Sequence, residues 1–274
     1  MADYWTSAGI AVLFAAVALT IVFGSYFLAR RLLHIGVETD KTFEAAGSIA
    51  VRIAALHGLI LALVYAQELD DYKDIRSVLT QEATAISDVY HDAGRYGGPI
   101  VGPVQQTLAR YLDTVVNQEW DQLGRGEGLS AQAWTEWDDV YQKLLDLTPT
   151  TDRERYLANR MRDRITAVAG FRQLRETTAI GRFSSLFWAP ALIGLALLAV
   201  PFSVYRPSRS NLILLGIFAI YSGVILFFIY AFGNPFAAPG KLEPAPFEHL
   251  LRGGIGKSLV DANEPGASGA AGSP

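Results

Sequence analysis

The chain has 274 residues and a formal net charge of −4, and 51% of its residues are hydrophobic, more than an ordinary soluble domain carries. It contains no cysteine, which excludes disulfides, thiolate nucleophiles and cysteine-based metal sites. Between Leu69 and Ile180 there are 18 acidic and 13 basic residues, so this region lacks the basic surface that binds nucleic acid.

Four apolar stretches occur along the chain in two pairs. Their bounds are Ala8–Ala29, Ala45–Gln67, Phe183–Tyr205 and Leu212–Phe232. Each is long enough to cross a hydrocarbon layer of ~30 Å at ~1.5 Å per helical residue. The sequence therefore predicts an all-α integral membrane protein with four transmembrane helices and an extramembrane helical bundle inserted between spans two and three.

This layout predicts four parts: a first transmembrane hairpin at 1–67, the bundle at 68–181, a second hairpin at 182–233 and a C-terminal tail at 234–274. The tail is rich in Pro, Gly and small residues, and its last dozen residues are expected to be disordered. Met1–Ser7 contains Asp3 and no basic residue, which favours a retained first helix over a signal peptide.

Basic residues in short loops predict the orientation. Arg30, Arg31 and Lys41 follow span one, and Arg206 and Arg209 lie between spans three and four. Because basic loops remain in the cytoplasm, we expect a multi-pass protein of the bacterial inner membrane with its N-terminus, bundle and C-terminus in the periplasm. Basic residues near the membrane ends of the bundle weaken this charge difference.

The bundle is predicted to be helical throughout. Apolar residues recur every three or four positions from Tyr72 to Ala93, and no Pro or Gly lies between Leu59 and Ala93, so the first bundle helix is expected to continue span two. A second helix is expected over about 102–123, a third after Ser130 as its N-cap, and a fourth from about Arg153 into span three. Together they predict an antiparallel bundle.

Charged residues lie on the predicted apolar faces of two bundle helices, the first and the last. Glu82 falls on the stripe of the first bundle helix, and Arg172 and Arg175 fall on that of the last. Because an unpaired buried charge is costly, we expect these residues to form a structural ion pair. A ruler of ~1.5 Å per helical residue favours Arg172 as the partner of Glu82. A role in an ion path or a regulated contact is the alternative.

Arg52 and His57 are the ionisable residues inside the predicted spans. Intramembrane charges are costly and often functional, so both are candidates for an ion or proton pathway. Structural alternatives remain for each. Arg52 could reach the cytoplasmic surface along its aliphatic stem, and His57 could stay neutral with one hydrogen bond to a neighbouring helix.

Span two also carries a small residue at every fourth position. Small residues let helix backbones approach closely in lipid, so this stripe predicts a tight helix-packing interface, either with span one or three or between subunits. The stripe consists of Ala46, Ala50, Ala54, Gly58, Ala62 and Ala66.

Motifs of catalysis and cofactor binding are absent from the sequence. The segment 253–258 resembles part of a phosphate-binding loop, but the required first Gly is replaced by Leu251 and no strand is predicted before it. His34, His57, His91 and His249 are scattered without metal-ligand spacing. We therefore expect no enzyme activity, cofactor, metal or nucleic acid.

Several short segments bear a resemblance to a known family. The sequence resembles a bacterial family of four-span membrane proteins called bestrophin-like, with an acidic residue usual in that family where Asn234 stands here and a Pro usual near Ser184. The segments that carry the resemblance are Tyr72, Gln81-Glu82-Ala83, Asp88-Val89-Tyr90, Arg172 with Arg175, Leu186-Phe187-Trp188, and the post-span turn Asn234-Pro235-Phe236 with Pro244 and Phe247.

The resemblance implies kinship with bestrophins, which are pentameric anion channels. One hypothesis is therefore a homo-oligomeric ion channel in the lipid bilayer, with Arg52 and His57 near the pathway. The other is a non-transporting membrane scaffold or accessory subunit whose acidic bundle binds partner proteins.

Overall fold

A computed structural model describes residues 2–33, 40–180 and 185–263, and within these ranges the regular structure is helical, without strands. The all-α prediction is confirmed. The helices are α1 (Ala2–Leu32), α2 (Asp40–Tyr96), α3 (Val101–Thr114), a π-helical turn (Val115–Glu119), α4 (Trp120–Arg125), α5 (Ala131–Leu145), α6 (Asp152–Ile180), α7 (Ser185–Phe202), α8 (Arg209–Phe232), α9 (Ala245–Arg252) and α10 (Gly254–Asn263).

The chain divides into two compact units. The first contains Met1–Tyr72 and Gly181–Gly240, and the second contains Lys73–Ile180 and Lys241–Pro274. Helix α2 runs unbroken from one unit into the other, as predicted from the absence of Pro and Gly between Leu59 and Ala93. The predicted C-terminal tail forms α9 and α10 of the second unit, whereas its last residues, 264–274, lie outside the described ranges.

Three helices of the described chain contain stretches that are long and apolar enough to span a membrane, namely α1, α2 and α8. The described apolar part of α7, Trp188–Phe202, is shorter than these. The protein is therefore a helical membrane protein, and its count of four spans stays a prediction.

In the first unit, α1 packs against both α7 and α8. The cluster between them includes Val22 and Tyr26 of α1 and Leu195 of α7. Gly223 of α8 meets α1 so closely that an added Cβ would lie 2.8 Å from the Cα of Ala15. Small residues thus permit backbone contact between these two helices, as is common in lipid.

In the second unit, α3 packs against α5 and α10, and α5 packs against α6. The residues that carried the predicted stripes are buried, with Ile86 and Val89 of α2 and Met161 and Val168 of α6 at most 1% exposed. The Ser130 N-cap is confirmed, because its hydroxyl accepts a hydrogen bond from the Ala133 backbone N–H at 3.3 Å.

The second predicted bundle helix is not a uniform α-helix. A π-helical turn interrupts it between α3 and α4, and Gly126 ends α4 in the left-handed conformation, with φ 75°. A π turn inserts one extra residue into the helix and rotates the later residues about the helix axis. Glu119 closes this turn and Trp120 opens α4, and both side chains are buried.

Candidate functional site

Helix α2 has two different faces in the first unit. The buried face includes Ala46, Ala50, His57 and Leu61. The opposite face contains Arg52, and every residue on it is exposed in the single chain. These exposed residues are Ala45, Ser48, Arg52, Ala55, Leu56, Leu59, Leu63 and Ala66. A guanidinium group thus stands among apolar side chains, and no carboxylate of the described ranges forms an ion pair with it.

His57 lies on the buried face of α2 and is 4% exposed. Its ring packs against α7 where Gly194 leaves space, since an added Cβ at Gly194 would lie 2.4 Å from His57 Nδ1. Neither ring nitrogen has a hydrogen-bond partner among the described residues. At 3.6 residues per turn, Arg52 and His57 point about 140° apart around α2, so they do not face one common pathway.

The small-residue stripe of span two crosses from the inside of the chain to its surface. Ala46 and Ala50 are buried, whereas Gly58, Ala62 and Ala66 are exposed. A spacing of four residues drifts by about 40° per step around a helix of 3.6 residues per turn, which explains the crossing. The later part of the stripe is therefore open to another helix from outside the chain.

The second unit contains a fully buried cluster of two carboxylates and two guanidinium groups. We call Glu82, Glu119, Arg172 and Arg175 the buried ionic cluster; each side chain is 0% exposed. Glu119 lies between the two arginines, 2.7 Å from Arg172 Nη2 and 2.8 Å from Arg175 Nη2. The four formal charges cancel, as burial of ions requires.

Glu82 pairs with Arg175. The Nε of Arg175 lies 2.9 Å from Glu82 Oε2, an electrostatic contact without hydrogen-bond geometry, and Arg175 Nη2 donates to Glu82 Oε1 at 3.1 Å. The expected partner, Arg172, binds Glu119 instead, so that preference was wrong. Arg172 and Arg175 differ in height by about one helical turn, and a ruler along straight helices does not resolve one turn.

Tyr111 of α3 links the two ion pairs. Its hydroxyl donates to Glu82 Oε1 at 2.8 Å and accepts from Arg172 Nη1 at 3.0 Å. Burial and the charge of Glu82 raise the pKa of the Tyr111 hydroxyl, which therefore keeps its proton. Burial also raises the pKa of Glu82, against the opposing effect of Arg175 and of the Tyr111 hydrogen bond.

Aromatic rings cover the arginines of the buried ionic cluster. The guanidinium carbon of Arg172 lies 4.5 Å from the Trp134 ring centroid, and that of Arg175 lies 5.5 Å from the Phe247 ring centroid. Such cation–π contacts stabilise cations that have lost water. Because the cluster has no exposed atoms for a ligand to reach, its arrangement fits a structural role that joins α2, α6 and the turn between α3 and α4.

Glu119 was missed in the sequence analysis, although a signal for it exists. It continues the three- and four-residue spacing of Leu108, Leu112 and Val115, which places it on the buried face of its helix. Its carboxylate also accepts a hydrogen bond from the Ser130 backbone N–H at 2.9 Å. A carboxylate in an apolar stripe should therefore have been paired with Arg172 or Arg175, as Glu82 was.

The post-span turn follows α8. The Asn234 side-chain oxygen accepts a hydrogen bond from the Phe236 backbone N–H at 3.1 Å, bridging Pro235, and the Phe236 ring is 1% exposed. This Asx-type bond gives the segment a local structural role. The side chains of Leu186 and Phe187, together with His34 and Ser184, lie outside the part of the chain that the structure describes. Among described residues, no three His, Asp or Glu side chains are grouped to hold a metal.

The comparisons with known proteins agree with this architecture. The family model described as Bestrophin-like domain matches residues 14–247. No curated protein matches the sequence significantly.

Solved structures give the same result. Two singly substituted forms of a bacterial bestrophin homologue from Klebsiella pneumoniae are similar: one at 13% identity over 93% of this chain and 99% of that chain, with a TM-score of 0.58, and the other at 12% identity over 92% and 99%, with a TM-score of 0.60. A singly substituted membrane protein matches at 14% identity over 91% and 97%, with a TM-score of 0.52. At these identities the likeness shows a shared fold.

Proposed function

The chain belongs to the Bestrophin-like domain family, and from this premise we propose that it is a homo-oligomeric ion channel for anions, with Arg52 beside the conduction pathway. The membrane-protein fold is that of bacterial bestrophin homologues. The channel activity rests on the exposed face of α2.

Arg52 carries this proposal. Arg52 lies about two turns into span two, and an arginine exposed to lipid costs up to about 2.5–3.5 kcal/mol at the centre of a span, so intramembrane arginines usually face a protein interior or a water-filled path. In one chain the face around Arg52 is exposed. Several subunits arranged with these faces inward would supply both water and a positive ring that attracts anions. His57, on the opposite face, is proposed to hold α2 against α7 within each subunit.

The exposed small residues of α2 support the oligomer. Gly58 and Ala62 lie on the surface beside the Arg52 face, where another subunit's helix could approach closely. Ala62→Trp should therefore lower the mass of the complex in mass photometry of detergent-purified protein. Ile213→Trp is the matched control, since Ile213 is exposed on α8. An unchanged mass for Ala62→Trp would place the subunit contact elsewhere.

Chloride flux into liposomes tests the channel. We expect purified wild-type protein to conduct, and Arg52→Glu to reduce chloride flux by on the order of tenfold, because the sign of the local field reverses. Arg31→Glu, at the exposed end of α1, changes the charge by the same amount, serves as the matched control and should conduct normally. Equal flux for Arg52→Glu and wild type would remove Arg52 from the pathway.

The scaffold hypothesis makes the opposite forecast. Under that hypothesis the liposomes show no flux, and a partner protein co-purifies with the acidic bundle in fixed ratio. That pair of results would end the channel proposal.

The proposed orientation places the basic end of the first unit in the cytoplasm of a bacterium. Arg30 Nη1 donates to the Ser203 carbonyl at 3.0 Å, and the Tyr205 hydroxyl donates to the Phe43 carbonyl at 3.0 Å. The basic ends of α1, α2 and α8 therefore meet at one end of the unit, as the positive-inside rule favours.

Cysteine labelling tests this orientation in a chain that has no cysteine of its own. We expect an impermeant maleimide to label Thr166→Cys in spheroplasts of intact inner membrane and to label Ser210→Cys after lysis only. Both positions are exposed. The reverse pattern would put the bundle in the cytoplasm and would leave the channel proposal untouched.

A further inference from the structure

A lateral groove opens on the first unit between α1, α7 and α8, and no residue of α2 is among those that line it. Its volume is about 340 Å³, and its walls are almost entirely apolar. Its lining includes Phe14, Val17, Trp188, Leu192, Leu226 and Tyr230. Leu13, at the mouth, is 59% exposed, so the groove is open to the surroundings of the helices.

A helix with its side chains is about 10–12 Å across, so a groove of about 340 Å³ holds single side chains of a docked helix and not the helix itself. An unbranched hydrocarbon chain can lie in a groove of this volume. Because two of the three walls belong to α1 and α8, which are long and apolar enough to span a membrane, the molecule best placed to fill the groove is a lipid.

The two amphipathic rings lie at one end of the groove. Trp188 is near the beginning of α7 and Tyr230 is near the end of α8, which runs in the opposite direction. Phe14 contacts both, with centroid distances of 5.9 Å to Trp188 and 5.3 Å to Tyr230. Trp and Tyr side chains are typical of the level of lipid headgroups, so this end is the polar end of a bound lipid.

We propose that the groove is a binding site for one acyl chain of a phospholipid, whose headgroup lies beside Trp188 and Tyr230. The chain of methylene groups contacts Phe14, Val17 and Leu192. The inference does not depend on ion conduction, because the groove is complete within one subunit.

Native mass spectrometry of the full chain tests this site. The protein is exchanged into lipid-free detergent and mixed with equimolar dioleoylphosphatidylglycerol, and bound phospholipid is counted per subunit. We expect about one retained lipid for wild type, and roughly tenfold less for Val17→Trp and Leu13→Trp, because each new ring fills the groove. Both positions are exposed by more than two fifths, so the fold tolerates the added ring.

Leu28→Trp is the matched control. Leu28 lies about three helical turns beyond Val17 on the same side of α1. It is 57% exposed and does not line the groove, so this variant should retain lipid as wild type does. Lipid-free wild type, or full retention by both groove variants, would overturn the proposal. Loss of lipid together with a change in the mass of the complex would also overturn it, because the groove would then be a contact between subunits.

Discussion

The two halves of α2 carry charged residues in opposite situations. In the first unit, Arg52 is exposed on an apolar face and has no ion-pair partner among the described residues. In the second unit, Glu82 is 0% exposed and lies 2.9 Å from Arg175. Each of the two residues interrupts an apolar stretch of α2, so sequence periodicity alone does not distinguish between them. The difference is that Glu82 has its partner within the described chain, whereas Arg52 has none there.

An intramembrane charge and a buried charge have different physical requirements. A charge that its own chain neutralises, such as Glu82, fixes helix register and needs no further partner. A charge that its own chain leaves exposed in a span, such as Arg52, points to water, a lipid headgroup or another subunit. The structure of one chain thus separates the architectural charge from the functional candidate.

The largest expected effect comes from breaking the ion pair between Glu82 and Arg175. Arg175→Met removes the partner of Glu82 and should lower the free energy of unfolding by about 3–5 kcal/mol, since a buried carboxylate is left uncompensated. The double variant Arg175→Met with Glu82→Leu leaves the Glu119–Arg172 pair of 2.7 Å intact and should recover much of the loss. Denaturant unfolding in detergent measures both.

The control for this pair is an exposed one. Glu127→Gln removes the surface partner of Arg125 and should leave the Tm unchanged, because exposed pairs contribute little. If the double variant is as unstable as Arg175→Met, Glu82 and Arg175 do not depend on each other.

A smaller effect on stability is expected at the contact between His57 and Gly194 in the first unit. Gly194→Ala places a methyl group 2.4 Å from His57 Nδ1 and should destabilise the protein by about 1–3 kcal/mol, as overpacking does. Adding His57→Ala should restore stability. Gly24→Ala has no atom within 4 Å of its new Cβ and should be neutral or stabilising. Equal behaviour of Gly194→Ala and Gly24→Ala in thermal unfolding would mean that α2 does not pack there.

The pH dependence of stability tests Glu82 itself. Because burial raises its pKa, the folded state binds this proton more tightly than the unfolded state. The stability that Glu82 contributes is present below its unfolded pKa of about 4.5 and is lost as the pH rises through the folded pKa. Relative to Glu82→Gln, wild type should therefore lose Tm as the pH rises above the unfolded pKa of about 4.5. Parallel curves for the two proteins would show an unshifted carboxylate.

The smallest expected effect on stability concerns Arg52. Arg52→Leu removes a charge without a partner in the described chain, so its free energy of unfolding, measured by denaturant unfolding in detergent, should change by no more than about ±0.5 kcal/mol, as for ordinary surface substitutions. A large loss would reveal a partner within the same chain. That result would indicate that Arg52 has a structural role, as Glu82 does.

Sequence periodicity located most of the buried ionic cluster but not its pairing. Glu82, Arg172 and Arg175 could be placed on buried stripes because three- and four-residue spacing defines a helix face. The choice between Arg172 and Arg175 depends on a height difference of one turn, which follows from how α2 and α6 pack. Glu119 was predictable in principle from Leu108, Leu112 and Val115, but the π turn that carries it left no sequence signal.

Periodicity likewise identified the small-residue stripe but did not show which of its residues are buried and which are exposed. Ala46 and Ala50 proved to be buried, and Gly58 and Ala62 proved to be exposed. A four-residue spacing cannot remain on one face of a helix with 3.6 residues per turn. Whether a given step meets the same chain or open surroundings is decided by the positions of α1, α7 and α8.

A helical membrane protein with a long continuous α2 could be predicted from the sequence, because hydrophobic length and the positions of Pro and Gly act locally. Helix packing was needed to show that Arg175 neutralises Glu82, that His57 lies against Gly194 and that Arg52 is exposed. These outcomes depend on distances between residues far apart in the chain. Such distances arise from helix packing, to which each helix contributes only one surface.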